Sequence, residues 1–175
     1  MITAAGWKKA AAILIFVLLA VAAVYAVLGS SASGERVRLG AKAPDFTVTN
    51  LEGQAVRLSD YRGQGVVLNF WGSWCEPCVK EMPLLNEVYG SGHGGVEIVG
   101  VNVGETKGTV KQFADQYSLA FPVFTDPAGE AAGAYQVRSL PTTFVIDKSG
   151  KIVEIINGEL SDIGKVQDIV DRIQP

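Results

Sequence analysis

Cysteine and histidine are scarce in this 175-residue chain, which contains two cysteines and one histidine. A structural zinc site needs four ligands, usually two cysteine pairs or one pair with two histidines, so the composition argues against such a site. The two cysteines, Cys75 and Cys78, could bind Cu(I) together with His93, because soft thiolates suit that ion. A copper site therefore stays open as an alternative, whereas a lone histidine in a glycine-rich loop is ordinarily only solvated.

A basic surface is also lacking. All 18 acidic residues and 13 of the 15 basic residues follow Gly34, which gives that part of the chain a net charge of −5. Proteins that bind nucleic acid do so through basic patches, so the charge balance argues against that function. A modestly acidic surface is compatible with a protein that acts on other proteins or on small thiols.

Charge is absent from one long apolar stretch, residues 10–28, which has nineteen members. As a helix this stretch would be about 28 Å long, close to the hydrocarbon thickness of a bilayer. Lys8 and Lys9 precede it and favour a cytoplasmic N-terminus. A cleaved signal peptide is the alternative, since Ser-Ala-Ser at 31–33 loosely resembles a cleavage site. We predict a cytoplasmic tail at 1–9, a transmembrane anchor at 10–28, a linker at 29–40 and an extracytoplasmic domain at 41–175, attached to the cell membrane by a single span.

Strand and helix patterns alternate along the predicted domain. Apolar and alternating runs predict a β-hairpin at 45–58 and further strands at 66–71, 96–103, 121–124, 142–147 and 151–156. Helical spacing and capping residues predict helices at 75–89, 106–118, 127–135 with Asp126 as N-cap, and 162–173. This order predicts an α/β fold with a central mixed sheet flanked by helices, preceded by an N-terminal β-hairpin and the transmembrane helix.

The two cysteines lie three residues apart, directly after the strand at 66–71 and at the start of the helix at 75–89. The N-terminus of a helix favours an anion, because its first N–H groups are unpaired. This position lowers the pKa of the first thiol and makes its reactive thiolate available near neutral pH. The spacing therefore predicts redox chemistry. A static structural disulfide is the weaker alternative, since so short a loop closes too little chain to stabilise a fold.

Two segments together resemble the thioredoxin fold: V-V-L-N-F-W-G-S-W-C-E-P-C-V-K-E-M-P at 66–83 and L-P-T-T-F-V-I-D at 140–147. The chain looks most like the membrane-anchored ResA branch of the TlpA/DsbE-like thiol–disulfide oxidoreductases, and Glu76-Pro77 between the cysteines points to this branch. The resemblance implies a reductant of the heme-binding C-x-x-C-H cysteines of apocytochrome c, active in cytochrome c maturation. It also implies a membrane thiol carrier of the CcdA/DsbD type as electron donor. No cofactor is implied beyond the redox-active Cys75–Cys78 disulfide.

By this resemblance Cys75 is the exposed attacking thiolate and Cys78 the buried resolving thiol. Glu81, one helical turn after Cys78, is assigned as a partly buried catalytic carboxylate that exchanges protons with the thiols. The alternative is an ordinary solvated helix glutamate. Thioredoxins carry a buried aspartate where this chain has Asn69, and an amide that cannot titrate leaves the proton relay to Glu81.

The same resemblance assigns five residues to substrate binding: Trp74, Glu76, Pro77, Leu140 and Pro141. Pro141 resembles the cis-proline beside the active cysteines of the family. A cis bond there would expose the Leu140 backbone for strand-like contact with a peptide. An ordinary proline at the start of a strand is the alternative.

Glu76 and two tryptophans near the cysteines are expected to shape the surroundings of the sulfurs. The negative charge of Glu76 is expected to raise the pKa of Cys75 and thereby to make the dithiol more reducing. Trp71 and Trp74 are expected to form an apolar wall around the sulfurs, with ordinary core packing as the alternative for both.

Three other functions stay open from the sequence. A thiol peroxidase would share the A-P-D-F entry at 43–46, but such enzymes need a threonine shortly before a lone catalytic cysteine, and here Trp74 precedes Cys75. A copper-binding chaperone would use the same two thiols. A reductase for another envelope or spore-assembly pathway would carry the same residues as the apocytochrome reductase.

Overall fold

The computed structural model describes residues 14–15, 17–18, 37–92 and 94–175, and the chain divides into two compact units, Met1–Gly34 and Glu35–Pro175. The four described residues of the first unit are helical. Among the described residues, no helix is both long enough and apolar enough to cross a bilayer. The predicted anchor at 10–28 lies largely outside the described residues, and His93 lies wholly outside them. The membrane span and the copper site with His93 therefore stay predictions.

The described part of the second unit contains seven strands and four α-helices. In chain order they are β1 (Thr47–Asn50), β2 (Ala55–Arg57), β3 (Gly65–Trp71), α1 (Glu76–Gly90), β4 (Val96–Val103), α2 (Lys107–Tyr117), β5 (Val123–Asp126), α3 (Glu130–Ala134), β6 (Thr142–Ile146), β7 (Ile152–Asn157) and α4 (Ile163–Arg172). The strands form one sheet in the order β2-β1-β5-β4-β3-β6-β7. β3, β4 and β5 are parallel, and the other pairs are antiparallel. The predicted α/β fold with a central mixed sheet is confirmed.

Strand β3 lies inside the sheet, and all seven of its residues are buried. Its side chains alternate between the two faces, as in any strand. Val66, Leu68 and Phe70 belong to the core on one face, and Val67 and Trp71 belong to the core on the other face, which also contains both cysteines. Because β3 and β4 are parallel, both end at the same edge of the sheet, and the loop to α1 leaves from this edge.

Beyond the predicted hairpin, two elements differ from their predictions by more than one residue. The strand expected at 121–124 is β5, Val123–Asp126, and one short helix begins later than expected. The helix expected at 127–135 covers only Glu130–Ala134, and its N-cap is Gly129, so the prediction of Asp126 as N-cap is wrong. Asp126 nevertheless stabilises this helix from the end of β5. Its carboxylate accepts hydrogen bonds from two N–H groups of the first turn, at 2.8 and 2.9 Å. The sequence indicated the capping side chain, but it did not show that the chain turns through Gly129 before the helix begins.

The segment before the first strand is held against the sheet. Gly40 donates a backbone hydrogen bond to Ile152 at 2.8 Å, and Ile152 donates one to Ala41 at 2.9 Å. The side chain of Val37 packs against the core on the β3 face that contains Phe70. Residues 37–40, which were predicted as linker, therefore contact the domain.

Candidate active site

Cys75 lies at the junction of β3 and α1, where it is the N-cap residue of the helix. Its Sγ accepts a hydrogen bond from the backbone N–H of Cys78 at 3.3 Å, and the two sulfurs form a disulfide with an S–S distance of 2.13 Å. The predicted position of the first sulfur at a helix N-terminus is confirmed. In the reduced protein, the same N–H group and the helix dipole would stabilise a thiolate on Cys75.

One of the two cysteines is more buried than the sequence suggested. Cys78 is completely buried, as expected, but Cys75 is only 6% exposed, so the expectation of an exposed attacking sulfur is wrong for this disulfide form. The disulfide ties Cys75 to the helix, and its side chain belongs to the same apolar core as Trp71. Cys75 remains the more accessible of the two sulfur-bearing residues.

The two tryptophans before Cys75 differ in role. Trp71 is completely buried, and its ring centroid lies 4.8 Å from that of Phe113, so core packing describes it. Trp74 is 70% exposed, and its indole covers Gly72 so closely that an added Cβ on that glycine would lie 2.9 Å from the ring. Trp74 therefore presents an apolar surface to solvent directly beside Cys75.

Glu81 is completely buried, so the solvated alternative is wrong. Its Oε1 accepts a hydrogen bond from Asn69 Nδ2 at 2.7 Å, and its Oε2 accepts one from the backbone N–H of Leu160 at 2.8 Å. Burial raises the pKa of Glu81 to about 7, although the two hydrogen bonds act in the opposite direction. The carboxyl group can therefore both give and take a proton near neutral pH, one helical turn from Cys78.

Asn69 links this carboxyl group to the strand that follows the proline. Its Nδ2 donates to Thr143 Oγ1 at 2.9 Å as well as to Glu81, and Asn69 and Thr143 are register partners across β3 and β6. Within the described part of the chain, Asn69 Oδ1 has no hydrogen-bond partner. The buried amide thus holds the carboxyl group in place without adding a second titratable group.

Glu76 and Pro77 occupy the first turn of α1. Glu76 is exposed and forms an ion pair with Lys80 at 2.8 Å. The hydrogen bond from Lys80 and its positive charge lower the pKa of Glu76. Lys80 also offsets part of the negative charge that Glu76 would otherwise direct at Cys75. The sequence analysis missed Lys80, although its i,i+4 spacing from Glu76 could have revealed the pair.

The bond between Leu140 and Pro141 is cis, which confirms the prediction from the L-P-T-T segment. The Pro141 carbonyl accepts a hydrogen bond from Gly158 N–H at 2.9 Å. The half-buried Leu140 side chain packs against the core cluster that contains both cysteines. Within the described chain, the backbone N–H and carbonyl groups of Leu140 make no hydrogen bond.

Several known proteins with similar sequences are named as thiol-disulfide oxidoreductases. The chain matches the AhpC/TSA family over residues 39–155. It is 52% identical over 126 residues to the thiol-disulfide oxidoreductase ResA of Geobacillus kaustophilus (strain HTA426), a match that covers 71% of this chain and 72% of that protein. The chain belongs to the AhpC/TSA family and, within it, to the ResA thiol-disulfide oxidoreductases.

Further comparisons agree with this membership. The ResA of Bacillus subtilis (strain 168) is 42% identical over 145 residues, which cover 82% of this chain and 80% of that protein. A Chlorobium tepidum structure described as a thiol:disulfide interchange protein DsbE matches this ResA-type chain with a TM-score of 0.73 and 33% sequence identity. The match covers 79% of this chain and 99% of that one. The predicted thioredoxin-like fold is confirmed.

A thiol peroxidase fits this ResA-type site poorly. Trp74 occupies the position before the first cysteine, and Cys78 is bonded to Cys75 instead of leaving it as a lone nucleophile.

Within the described residues, no three His, Cys, Asp or Glu side chains are grouped to hold a metal ion. The copper alternative depends on His93, which lies outside those residues. The enzyme is a thiol-disulfide oxidoreductase, with Cys75 and Cys78 as its reactive pair.

Sequence reasoning missed the groups that are distant along the chain but hydrogen-bond to residues of the site. Thr143 and the Leu160 N–H contact the Asn69–Glu81 pair, and Glu105 binds the loop before Cys75. The β-sheet register would have placed Thr143 opposite Asn69. No local pattern in the chain indicated the contacts of Leu160 or Glu105.

Proposed function

We propose that this oxidoreductase reduces disulfides in proteins outside the cytoplasm, and that its substrate is the heme-binding C-x-x-C-H motif of apocytochrome c. The observation that supports reduction best is the fully buried Glu81, which lies one helical turn from Cys78. Its pKa of about 7 allows it to give or take a proton near neutral pH. Disulfide reduction consumes two protons as well as two electrons, because each sulfur departs as a thiolate. A buried acid beside the dithiol can supply a proton where it is needed.

In the first step, the Cys75 thiolate attacks one sulfur of the substrate disulfide. A bond forms between Cys75 and that sulfur, the substrate S–S bond breaks, and the second substrate sulfur leaves as a thiolate. Neutral Glu81 gives its proton to this leaving thiolate and becomes a carboxylate.

In the second step, the Glu81 carboxylate takes the proton of Cys78, and the resulting thiolate attacks the Cys75 sulfur. The mixed disulfide breaks, and the remaining substrate thiolate takes a proton from solvent. Two electrons have then passed from the dithiol to the substrate, the Cys75–Cys78 disulfide has formed, and Glu81 is neutral again.

The proposed docking surface combines Trp74 with the cis Leu140–Pro141 bond. The free N–H and carbonyl groups of Leu140 can pair with an extended peptide as one more strand would. The exposed indole of Trp74, the residue before Cys75, offers an apolar contact. Glu76 and Pro77 complete this surface at the start of α1.

The anchor and the electron donor also belong to the proposal. Residues 10–28, uncharged and long enough to span a bilayer as a helix, support attachment to the cell membrane with the domain on the extracytoplasmic side. A membrane thiol carrier of the CcdA/DsbD type would then re-reduce the Cys75–Cys78 disulfide by the same exchange in reverse. A reductase for another envelope or spore-assembly pathway is the competing assignment.

The substrate proposal is tested with two oxidised peptides of equal length and composition, one with its cysteines as C-x-x-C-H and one with the same residues reordered so that six separate the cysteines. We expect the reduced full-length protein in detergent to reduce the first with a second-order rate constant at least about tenfold higher. That ratio corresponds to about 1.4 kcal/mol of selective binding. Equal values would favour a general reductase, and failure on both peptides would contradict reduction itself.

A further inference from the structure

The loop between β3 and α1 is a tight turn that fixes the surroundings of Cys75. The backbone N–H of Cys75 donates to the carbonyl of Gly72 at 3.2 Å, which closes the turn. The Trp74 indole lies over Gly72 at a distance that leaves no room for a side chain there. The orientation of Trp74 therefore depends on the backbone path through Ser73.

Glu105 lies two residues beyond the end of β4, and its side chain binds the loop between β3 and α1. Its Oε2 accepts a hydrogen bond from Ser73 N–H at 2.7 Å, and its Oε1 accepts one from Ser73 Oγ–H at 2.6 Å. Asn102 Nδ2 also donates to Oε2, at 2.7 Å. Asn102 is buried in β4 and is the register partner of Trp71, so the carboxylate is itself held in place by the sheet.

The contacts suit an ionised carboxylate. Partial burial raises the pKa of Glu105, but the hydrogen bonds from Asn102 and Ser73 outweigh that effect, and the pKa lies below its usual value. Every group that contacts the carboxylate in these bonds is a donor, and hydrogen bonds to an ionised acceptor are stronger than those between neutral groups. An amide at this position could still accept from Ser73 N–H and Asn102 and donate to the Ser73 hydroxyl, but these would be weaker bonds between neutral groups.

We propose that Glu105 is a positioning residue for substrate docking: it holds Ser73 so that Trp74 stays beside Cys75 as a preformed contact surface for a disulfide-bearing polypeptide. This inference rests on the proposed function, because it concerns the same substrate. Glu105 bonds to the loop and not to the cysteines, so its loss should weaken polypeptide binding more than the exchange reaction itself. Binding to a preformed surface costs less ordering than binding to a loose loop.

The test compares Glu105→Gln, Ser73→Ala and a control variant, Glu87→Gln, in the full-length reduced protein. The control removes the same charge from an exposed position on α1. Each variant is assayed on the oxidised C-x-x-C-H peptide and on the small disulfide 5,5′-dithiobis(2-nitrobenzoic acid). For Glu105→Gln we expect the peptide KM to rise about tenfold, because the variant removes the negative charge that strengthens three hydrogen bonds to this side chain. Its rate with the small disulfide should fall by no more than about twofold, and Glu87→Gln should match the wild type on both.

Ser73→Ala keeps the backbone bond to Glu105 and loses only the hydroxyl bond, so its peptide KM should rise about threefold, between the wild type and Glu105→Gln. This variant also decides the matter if Glu105→Gln fails to fold. Equal losses on the peptide and the small disulfide, or an unchanged peptide KM in both variants, would overturn the inference while leaving the proposed function intact. A wild-type protein inactive on the peptide would overturn the proposed function, and this inference with it.

Discussion

Cys75→Ser is expected to abolish disulfide reduction completely. The thiolate of Cys75 is the attacking group, and a serine hydroxyl at neutral pH neither ionises nor forms a disulfide. The measurement follows thiol release from an oxidised peptide by the variant after treatment with dithiothreitol and removal of that reagent. Insulin reduction serves as a second assay. Weak activity of the wild type on insulin would not count against the assignment, because a narrow substrate range is expected.

The matched variant Cys78→Ala separates the two steps of the exchange. It keeps the attacking thiol and lacks the resolving one, so it should accumulate a mixed disulfide through Cys75 that is visible on a non-reducing gel. Activity retained by Cys75→Ser, or a trapped adduct that does not involve Cys75, would contradict the assignment of the two sulfurs.

Glu81→Gln is expected to slow reduction by about a hundredfold below pH 7, the lower end of the range for loss of a general acid. The wild-type rate should rise with pH as Cys75 ionises and then fall as Glu81, with a pKa of about 7, loses the proton that it donates. The variant should lack that falling limb, because glutamine does not titrate. The measurement is the pH–rate profile on one peptide disulfide.

Two controls accompany this profile. Glu76→Gln removes an exposed carboxylate that lies between the cysteines in sequence, and it should keep the fall above pH 7. Denaturant unfolding checks that Glu81→Gln retains the fold. We expect it to do so, because the unpartnered Asn69 Oδ1 can turn towards the new amide and accept its hydrogen bond. Superimposable profiles for wild type and Glu81→Gln would assign the proton relay to Glu76 or to solvent.

The sequence contained enough information for the reactive pair and its immediate helix. Cys75 at a strand-to-helix junction, and Glu81 one turn after Cys78, follow from spacing alone, since residues three apart share a helix face. The apolar run of β3 likewise indicated a buried strand. That Glu81 is buried and not solvated was not decided by the spacing. It depends on how α1 packs against β3 and on the chain near Leu160.

Contacts between distant segments were beyond the sequence patterns. Leu160 contributes only a backbone N–H to Glu81, and every non-proline residue has one, so no residue type marks the position. Glu105 reaches Ser73 across the edge of the sheet, which requires the register of β3 against β4. The burial of Cys75 depends in the same way on the disulfide and on the core around Trp71.

The reduction potential of the Cys75–Cys78 couple tests the central claim, that this enzyme reduces its substrates, most directly. An oxidant needs a strongly stabilised thiolate, but C-E-P-C contains no basic residue, and the charge of Glu76 opposes ionisation of Cys75 even though Lys80 offsets part of it. Equilibration of the full-length protein with dithiothreitol or glutathione should therefore give a value nearer the roughly −270 mV of thioredoxin than the roughly −120 mV of DsbA. A potential close to that of DsbA would mean that the protein donates disulfides, which contradicts the account.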